Sequence, residues 1–274
     1  MRFKKYLFCL GHWLVLPFVA FLLWLGLKKS KREYFSFEKD PETASIQTRY
    51  TYIYGLVTKA VFCALTKVKI KGIKNLPNNK PALFIPNHKS NFDVLVLLKA
   101  FKKIRSDNNL ILNPTFLAKK EILDSKKTKY VSQLINCVFL DRENLRDAIR
   151  ASEEQKNLLQ KNEQSLVVFI EGTRIKKDEF GEFKPAALSP AYSTFCPIIP
   201  VVIYGTLGVE KEHKKNIFKY KEVTVEFLEP FKYKDFVHLS KDVVASKIKN
   251  KMELAYSEIA KNPFWKESKN GDEE

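Results

Sequence analysis

The chain has 274 residues, 45% of them hydrophobic, and can bury a sizeable core in one large domain without disulfide bonds. Its four cysteines, Cys9, Cys63, Cys137 and Cys196, are scattered without a CxxC pair, which argues against a zinc site or a disulfide framework. Lysine and arginine outnumber aspartate and glutamate by 48 to 31, and the formal charge of +17 favours a polyanionic partner: nucleic acid, an anionic membrane or a phosphorylated substrate.

The first predicted element is a hydrophobic helix over residues 6–27, YLFCLGHWLVLPFVAFLLWLGL, which has His12 as its only titratable basic residue and cationic flanks on both sides. As a helix it measures about 33 Å, close to the thickness of a bilayer core. It is too long for a signal-peptide core and lacks a small-x-small cleavage site, so we expect a retained membrane anchor. The flanking lysines suit the cytoplasmic face, while Pro17 leaves open whether the helix spans the bilayer or lies in one leaflet.

Residues 28–40 are polar and charged, which predicts a linker. Residues 43–66 carry apolar side chains at three- and four-residue steps, which predicts an amphipathic helix. This helix can pack on the first one, lie along lipid or belong to an ordinary core. We assign residues 1–66 to an N-terminal membrane-associated helical segment.

Short apolar strands alternate with helices in the remainder of the chain. Strands are predicted within 67–77, 81–88, 137–142, 165–172, 196–205 and, more exposed, 222–230, and helices within 91–103, 143–162 and 241–262. This alternation predicts an α/β domain over residues 67–264, with a mostly parallel central sheet flanked by helices. Residues 265–274 form a charged tail.

His88 and Asp93 stand in PNHKSNFDVL, between an apolar strand and a helix. On one continuous helix, five residues separate two side chains by roughly 140° around the axis, so these two can meet only if His88 lies in the turn before the helix. Ser90 or Asn91 can cap that helix, and Asp93 can then fix one imidazole nitrogen while the other accepts a proton from a hydroxyl. The alternative is a histidine satisfied in a turn, with Asp93 as a capping acid.

A second group of polar residues has the chemistry of a phosphate site. Glu171, Gly172, Thr173 and Arg174 follow a buried strand and combine close backbone approach, a hydroxyl and a guanidinium. Arg142 ends another strand, where it can reach a phosphate or form a surface ion pair, and Lys184 stands beside a rigid proline.

Four blocks of the sequence, NHKSNFD, VFLDREN, FIEGTRI and IIPVVIYG, resemble in order and spacing those of the glycerolphosphate acyltransferase family, particularly its 1-acyl-sn-glycerol-3-phosphate acyltransferases. The resemblance covers about residues 67–230 and implies a glycerol-3-phosphate acyltransferase-like fold. It implies that His88 is a base oriented by Asp93, and that Pro200 matches the fourth block. The residues that it implies for binding glycerol phosphate are Arg142, Glu171, Gly172, Thr173 and Arg174.

The resemblance implies transfer of a fatty acyl group from acyl-CoA or acyl-carrier protein to the free hydroxyl of lysophosphatidic acid, giving phosphatidic acid at the surface of an anionic membrane. No metal and no other cofactor is expected. Glycerol 3-phosphate or another lysophospholipid remains an alternative acceptor, because these enzymes share the motifs. A membrane-tethered nucleic-acid-binding protein would suit the charge, but the lysines are spread along the chain without a recognised binding motif, so no nucleic acid is expected.

Overall fold

A seven-stranded sheet forms the centre of the computed structural model, which describes residues 2–40, 45–78, 80–108, 112–126, 128–207 and 220–261. Its strands run in the order β1-β7-β6-β2-β5-β3-β4, and every neighbouring pair is parallel except β6 and β7. The predicted α/β fold with a mostly parallel sheet is therefore confirmed. The strands are β1 (Thr66–Lys71), β2 (Leu83–Pro86), β3 (Pro114–Lys119), β4 (Val138–Leu140), β5 (Ser165–Val167), β6 (Ile198–Tyr204) and β7 (Lys221–Phe227).

Helices cover both faces of the sheet, as a buried parallel sheet requires. Side chains of α2, α3 and α4 pack on one face, and those of α5, α6 and α8 pack on the other. The helices are α1 (Arg2–Lys39), α2 (Ile46–Cys63), α3 (Phe92–Asn108), α4 (Lys129–Leu134), α5 (Leu145–Gln160), α6 (Ser189–Thr194), α7 (Tyr233–Phe236) and α8 (Lys241–Lys261). Short 3-10 helices occur at Ile73–Asn75, Lys120–Asp124 and Pro185–Leu188.

The direction of the strands determines where the polar loops meet. Strands β2, β3, β4, β5 and β6 run the same way, so all five end at one edge of the sheet, which we call the carboxyl edge. The turn that holds His88 follows β2, Arg142 follows β4, and Glu171 follows β5. These three segments therefore reach the same edge, although 83 residues separate His88 from Glu171 along the chain.

Helix α1 is long and apolar and lies on the outside of α2. Pro17 lies inside it without ending it. The Tyr52 hydroxyl of α2 donates to the Gly26 carbonyl, and a Cβ on Gly26 would lie 2.4 Å from Cδ2 of Leu56, so a larger residue there would displace the Leu56 side chain. By length and composition, the 28 residues from His12 to Lys39 could cross a membrane, and only 6% of their most apolar window is buried in the protein.

Helix α2 belongs to the same core as the sheet. Tyr50 is fully buried, and its hydroxyl donates to the Pro114 carbonyl at 2.7 Å and accepts from Gln164 Nε2 at 2.9 Å. Arg49, also buried, donates to the Leu134 carbonyl at 3.0 Å. The predicted amphipathic helix over 43–66 thus exists as Ile46–Cys63 and packs in the protein core, whereas residues 41–44 lie outside the described residues.

Three other expectations need correction. The linker predicted over residues 28–40 is wrong, because α1 continues from the predicted helix over 6–27 to Lys39. Strand β7 is not the more exposed strand expected at 222–230: it lies inside the sheet between β1 and β6, which buries most of its residues. Strand β3 was not predicted, because PTFLAK is short and begins with proline. The charged tail, 265–274, lies outside the described residues.

Candidate active site

The predicted contact between His88 and Asp93 is present. Strand β2 ends at Pro86, and the buried Asn87 side chain extends its pairing with β6: it donates to the Ile203 carbonyl at 3.0 Å and accepts from the Ile203 N–H at 2.7 Å. The chain then turns, and His88 Nδ1 lies 2.8 Å from Asp93 Oδ2.

Asp93 sits in the first turn of α3 and organises the whole turn. Its Oδ2 also accepts from the backbone N–H of Lys89 at 2.6 Å and of Ser90 at 2.9 Å. The Ser90 hydroxyl accepts from the Phe92 N–H at 3.1 Å, which satisfies another donor at the start of the helix. A fully buried carboxylate thus binds three donors near the positive end of a helix dipole, where a negative charge is favoured.

The His88 ring is held on a second side by an aromatic contact. Phe169 stacks on it with ring centroids 4.0 Å apart and an interplanar angle of 23°. The His88 side chain keeps 16% of its surface exposed, and Nε2 has no hydrogen-bond partner among the described residues. With Nδ1 bound to a carboxylate, Nε2 is the nitrogen available to accept a proton.

A second turn, residues 171–174, is bonded directly to the histidine turn. Glu171 Oε2 accepts from the His88 N–H at 2.6 Å, and its Oε1 accepts from the Gly181 N–H at 2.8 Å. The Ile175 N–H donates to the His88 carbonyl at 2.8 Å. Glu171 is only 3% exposed and each carboxylate oxygen already has a donor, so this geometry favours a positioning role over the substrate contact predicted from the sequence.

The cationic residues predicted to bind phosphate gather around Gly172. This glycine has φ +65°, and a Cβ on it would lie 3.9 Å from a guanidinium nitrogen of Arg142 and 3.9 Å from Cγ of Lys184. Thr173 and Arg174 are exposed in the same turn. Lys184 pairs with Glu182 at 2.6 Å, whereas Arg142 and Arg174 form no ion pair within the part of the chain that the structure describes.

Lys89 supports the site, although the sequence did not single it out. Only 3% of this residue is exposed; its ammonium donates to the Glu179 carbonyl and lies 5.1 Å from the ring centroid of Phe180. Burial lowers the pKa of Lys89, while the nearby charges of Glu171 and Asp178 act to raise it. Lysine side chains are ordinarily exposed, so nothing in the sequence around His88 indicated that Lys89 is buried.

Among the residues with described coordinates, no group of three or more histidine, cysteine, aspartate or glutamate side chains is placed to hold a metal ion. The three cysteines whose side chains are described, Cys63, Cys137 and Cys196, are free thiols. Pro200 lies in the middle of β6, paired with Ile85, and shapes the sheet below the histidine turn.

Comparison with known proteins identifies the family of the chain. A family model described as Acyltransferase matches residues 67–204, and the chain is 33% identical over 265 residues to a probable 1-acyl-sn-glycerol-3-phosphate acyltransferase of Mycoplasma pneumoniae, covering 94% of this chain and 95% of that protein. The chain belongs to the acyltransferase family.

Other members of this acyltransferase family extend the similarity. A probable 1-acyl-sn-glycerol-3-phosphate acyltransferase of Mycoplasma genitalium is 40% identical over 180 residues, which cover 66% of this chain and 65% of that protein. The crystal structure of the 1-acyl-sn-glycerophosphate (LPA) acyltransferase PlsC from Thermotoga maritima matches with a TM-score of 0.65 and 22% identity, over 94% of this chain and 97% of that one. The latter similarity supports the fold.

Lys89→Met should loosen the loop over residues 175–183, because methionine fills the space but cannot donate to the Glu179 carbonyl. A hydrogen bond from a charged group contributes about 1.5–3 kcal/mol, so trypsin should cleave after Lys176 or Lys177 at least about tenfold faster than in the wild type. The matched control is Lys247→Met, which removes an exposed lysine of α8. Equal cleavage rates in the two variants would rule out this positioning role for Lys89.

Proposed function

We propose that this acyltransferase moves a fatty acyl group from an acyl thioester, acyl-CoA or acyl-carrier protein, to the free hydroxyl of lysophosphatidic acid, forming phosphatidic acid for phospholipid synthesis. One observation carries the proposal. The turn that holds His88 is bonded through Glu171 to the turn around which Arg142 and Lys184 gather, so a proton acceptor and a cationic pocket form one rigid unit.

In this proposal His88 is the general base. Nε2 accepts the proton of the acceptor hydroxyl while that oxygen attacks the thioester carbonyl carbon. Asp93 holds the ring and stabilises the imidazolium that forms. The carbon–sulfur bond then breaks, and the leaving thiolate takes the proton back from His88. His88 thus acts first as the base and then as the acid. The step uses the acyl donor as a substrate and no cofactor.

Arg142 and Arg174 supply charge for the substrate phosphate. Both are exposed and lack a carboxylate partner among the described residues, so binding a dianion does not require an existing ion pair to break. Lys184 adds a third positive charge, partly offset by Glu182. Gly172 and Thr173 lie between these cations and allow the phosphate to approach the backbone. A substrate held by its phosphate has its free hydroxyl close to His88, so the proton transfer takes place within one oriented complex.

Helix α1 is the proposed membrane anchor, on the cytoplasmic face. Its solvent face presents Leu14, Phe18, Phe21 and Leu25 at three- and four-residue steps, with exposures of 78%, 63%, 54% and 41%. Lys28 and other basic residues follow one turn later on the exposed side. An apolar stretch continued by cations suits insertion among acyl chains beside anionic headgroups. We assign residues 1–66 to this segment and 67–264 to the catalytic domain, with α2 as the joint between them.

His88→Ala should lower kcat by about 10²–10⁴-fold, because it removes the general base and leaves the cationic pocket intact. The assay uses purified full-length protein in detergent with lysophosphatidic acid and either acyl-CoA or acyl-carrier protein. Lys247→Met serves as the control for handling and folding. Turnover at the wild-type rate by a folded His88→Ala protein would disprove the base assignment. Parallel reactions with glycerol 3-phosphate and other lysophospholipids identify the preferred acceptor.

Arg142→Met should raise the KM for lysophosphatidic acid by roughly 10-fold or more with a smaller effect on kcat, because a charge-assisted contact contributes about 1.5–3 kcal/mol. Glu182→Gln is the matched opposite change: it releases Lys184 from its ion pair and should leave the KM unchanged or lower it. If Arg142→Met changes neither constant, Arg142 does not bind the phosphate.

A further inference from the structure

The surface where α2 and α3 meet, which we call the groove, carries positive charge that no described carboxylate balances. Lys102 Nζ lies 2.8 Å from the Thr58 hydroxyl oxygen, and Lys99 Nζ lies 3.5 Å from the same atom. The Thr58 hydroxyl donates to the Tyr54 carbonyl, so its oxygen faces the two ammonium groups as an acceptor. A neutral oxygen shared by two cations compensates neither charge.

The third cation of the groove is Arg105. It stands three residues after Lys102 on α3, the same step that separates Lys102 from Lys99, which places it on the same side of the helix. Its charge acts on the buried Tyr54 hydroxyl, where it opposes the rise in the pKa of Tyr54 that burial causes. One guanidinium nitrogen, Nη1, is buried without a hydrogen-bond partner among the described residues. A buried donor without an acceptor is costly to the fold.

The lysines are partly desolvated as well as close together. Both Lys99 and Lys102 are half-buried, and burial lowers the pKa of Lys99, with further lowering from the charges of Lys102 and Lys103. Lys99, Lys102 and Arg105 form no ion pair anywhere in the described ranges. Like charges held together at a helix interface destabilise the fold unless an anion joins them.

The geometry points to a second anion site in this groove, in which Lys99, Lys102 and Arg105 bind a phosphate group, carried by a membrane lipid or free in solution. The site is separate from the catalytic one, because Lys102 lies nine residues, about 13 Å, along α3 from Asp93. The groove is bordered by α2, and α1 packs on α2 where Gly26 meets Leu56. A membrane that receives α1 would therefore bring lipid phosphates towards this groove.

The test compares Lys99→Met/Lys102→Met with Lys247→Met/Lys261→Met, which removes the same charge from exposed positions of α8. In the first arm, inorganic phosphate replaces chloride at equal ionic strength during thermal unfolding of the full chain in detergent. The wild type and the control should gain Tm with phosphate, because a ligand that binds only the folded state stabilises it. The groove variant keeps only the cationic pocket at Gly172 and should gain clearly less.

The second arm measures sedimentation with phosphatidylcholine vesicles, with and without phosphatidic acid. If the source is lipid, the groove variant should bind the anionic vesicles at least about tenfold more weakly than the control, while binding to neutral vesicles stays equal. If the groove variant shows the smaller Tm response to phosphate but binds the vesicles as the control does, free phosphate is the ligand. A groove variant that matches the control in both arms overturns the proposal.

Lys102→Glu keeps the test decisive if the double variant folds poorly. It places a carboxylate where the phosphate is expected, so it should raise the Tm in chloride and reduce the further rise with phosphate to the part that the pocket at Gly172 contributes. A lower Tm in chloride together with an unchanged response to phosphate would contradict the site.

Discussion

One carboxylate oxygen determines the shape of the active site. Asp93 Oδ2 accepts from the His88 ring and from the backbone of Lys89 and Ser90, so a single buried charge both builds the turn and orients the proposed base. A buried carboxylate is stable only while its donors remain in place, and these donors exist only while the turn is formed. Catalytic geometry and local folding therefore depend on the same interaction.

The second constraint joins this turn to the proposed phosphate pocket around Gly172. Glu171 takes a donor from His88 with one oxygen and a donor from Gly181 with the other, and Lys89 anchors the intervening loop to the Glu179 carbonyl. Buried charges of opposite sign thus hold two loops that come from different strands. The parallel sheet brings the loops to one edge, and these bonds fix the distance between the base and the cations around Gly172.

Much of this architecture could be predicted from local patterns. The alternation of apolar strands and helices predicted the parallel sheet, and the five-residue spacing predicted that Asp93 lies one turn into a helix that starts after His88. The buried roles of Lys89 and Glu171 could not be predicted, because they depend on loops that approach only in the folded sheet. Strand β7 was predicted to be more exposed from its local segment; it is buried because β1, from a distant part of the chain, pairs with it, and the local pattern could not reveal that pairing.

We propose that Asp93 fixes the tautomer of His88, so that Nε2 is the free base. Nitrogen-15 NMR of histidine-labelled, full-length protein in detergent tests it directly, with the His88 signals assigned from a His88→Gln variant. In the neutral ring, the account predicts a proton on Nδ1, none on Nε2, and loss of this preference in Asp93→Ala. A proton on Nε2 in the wild type, or a preference that survives Asp93→Ala, would contradict it.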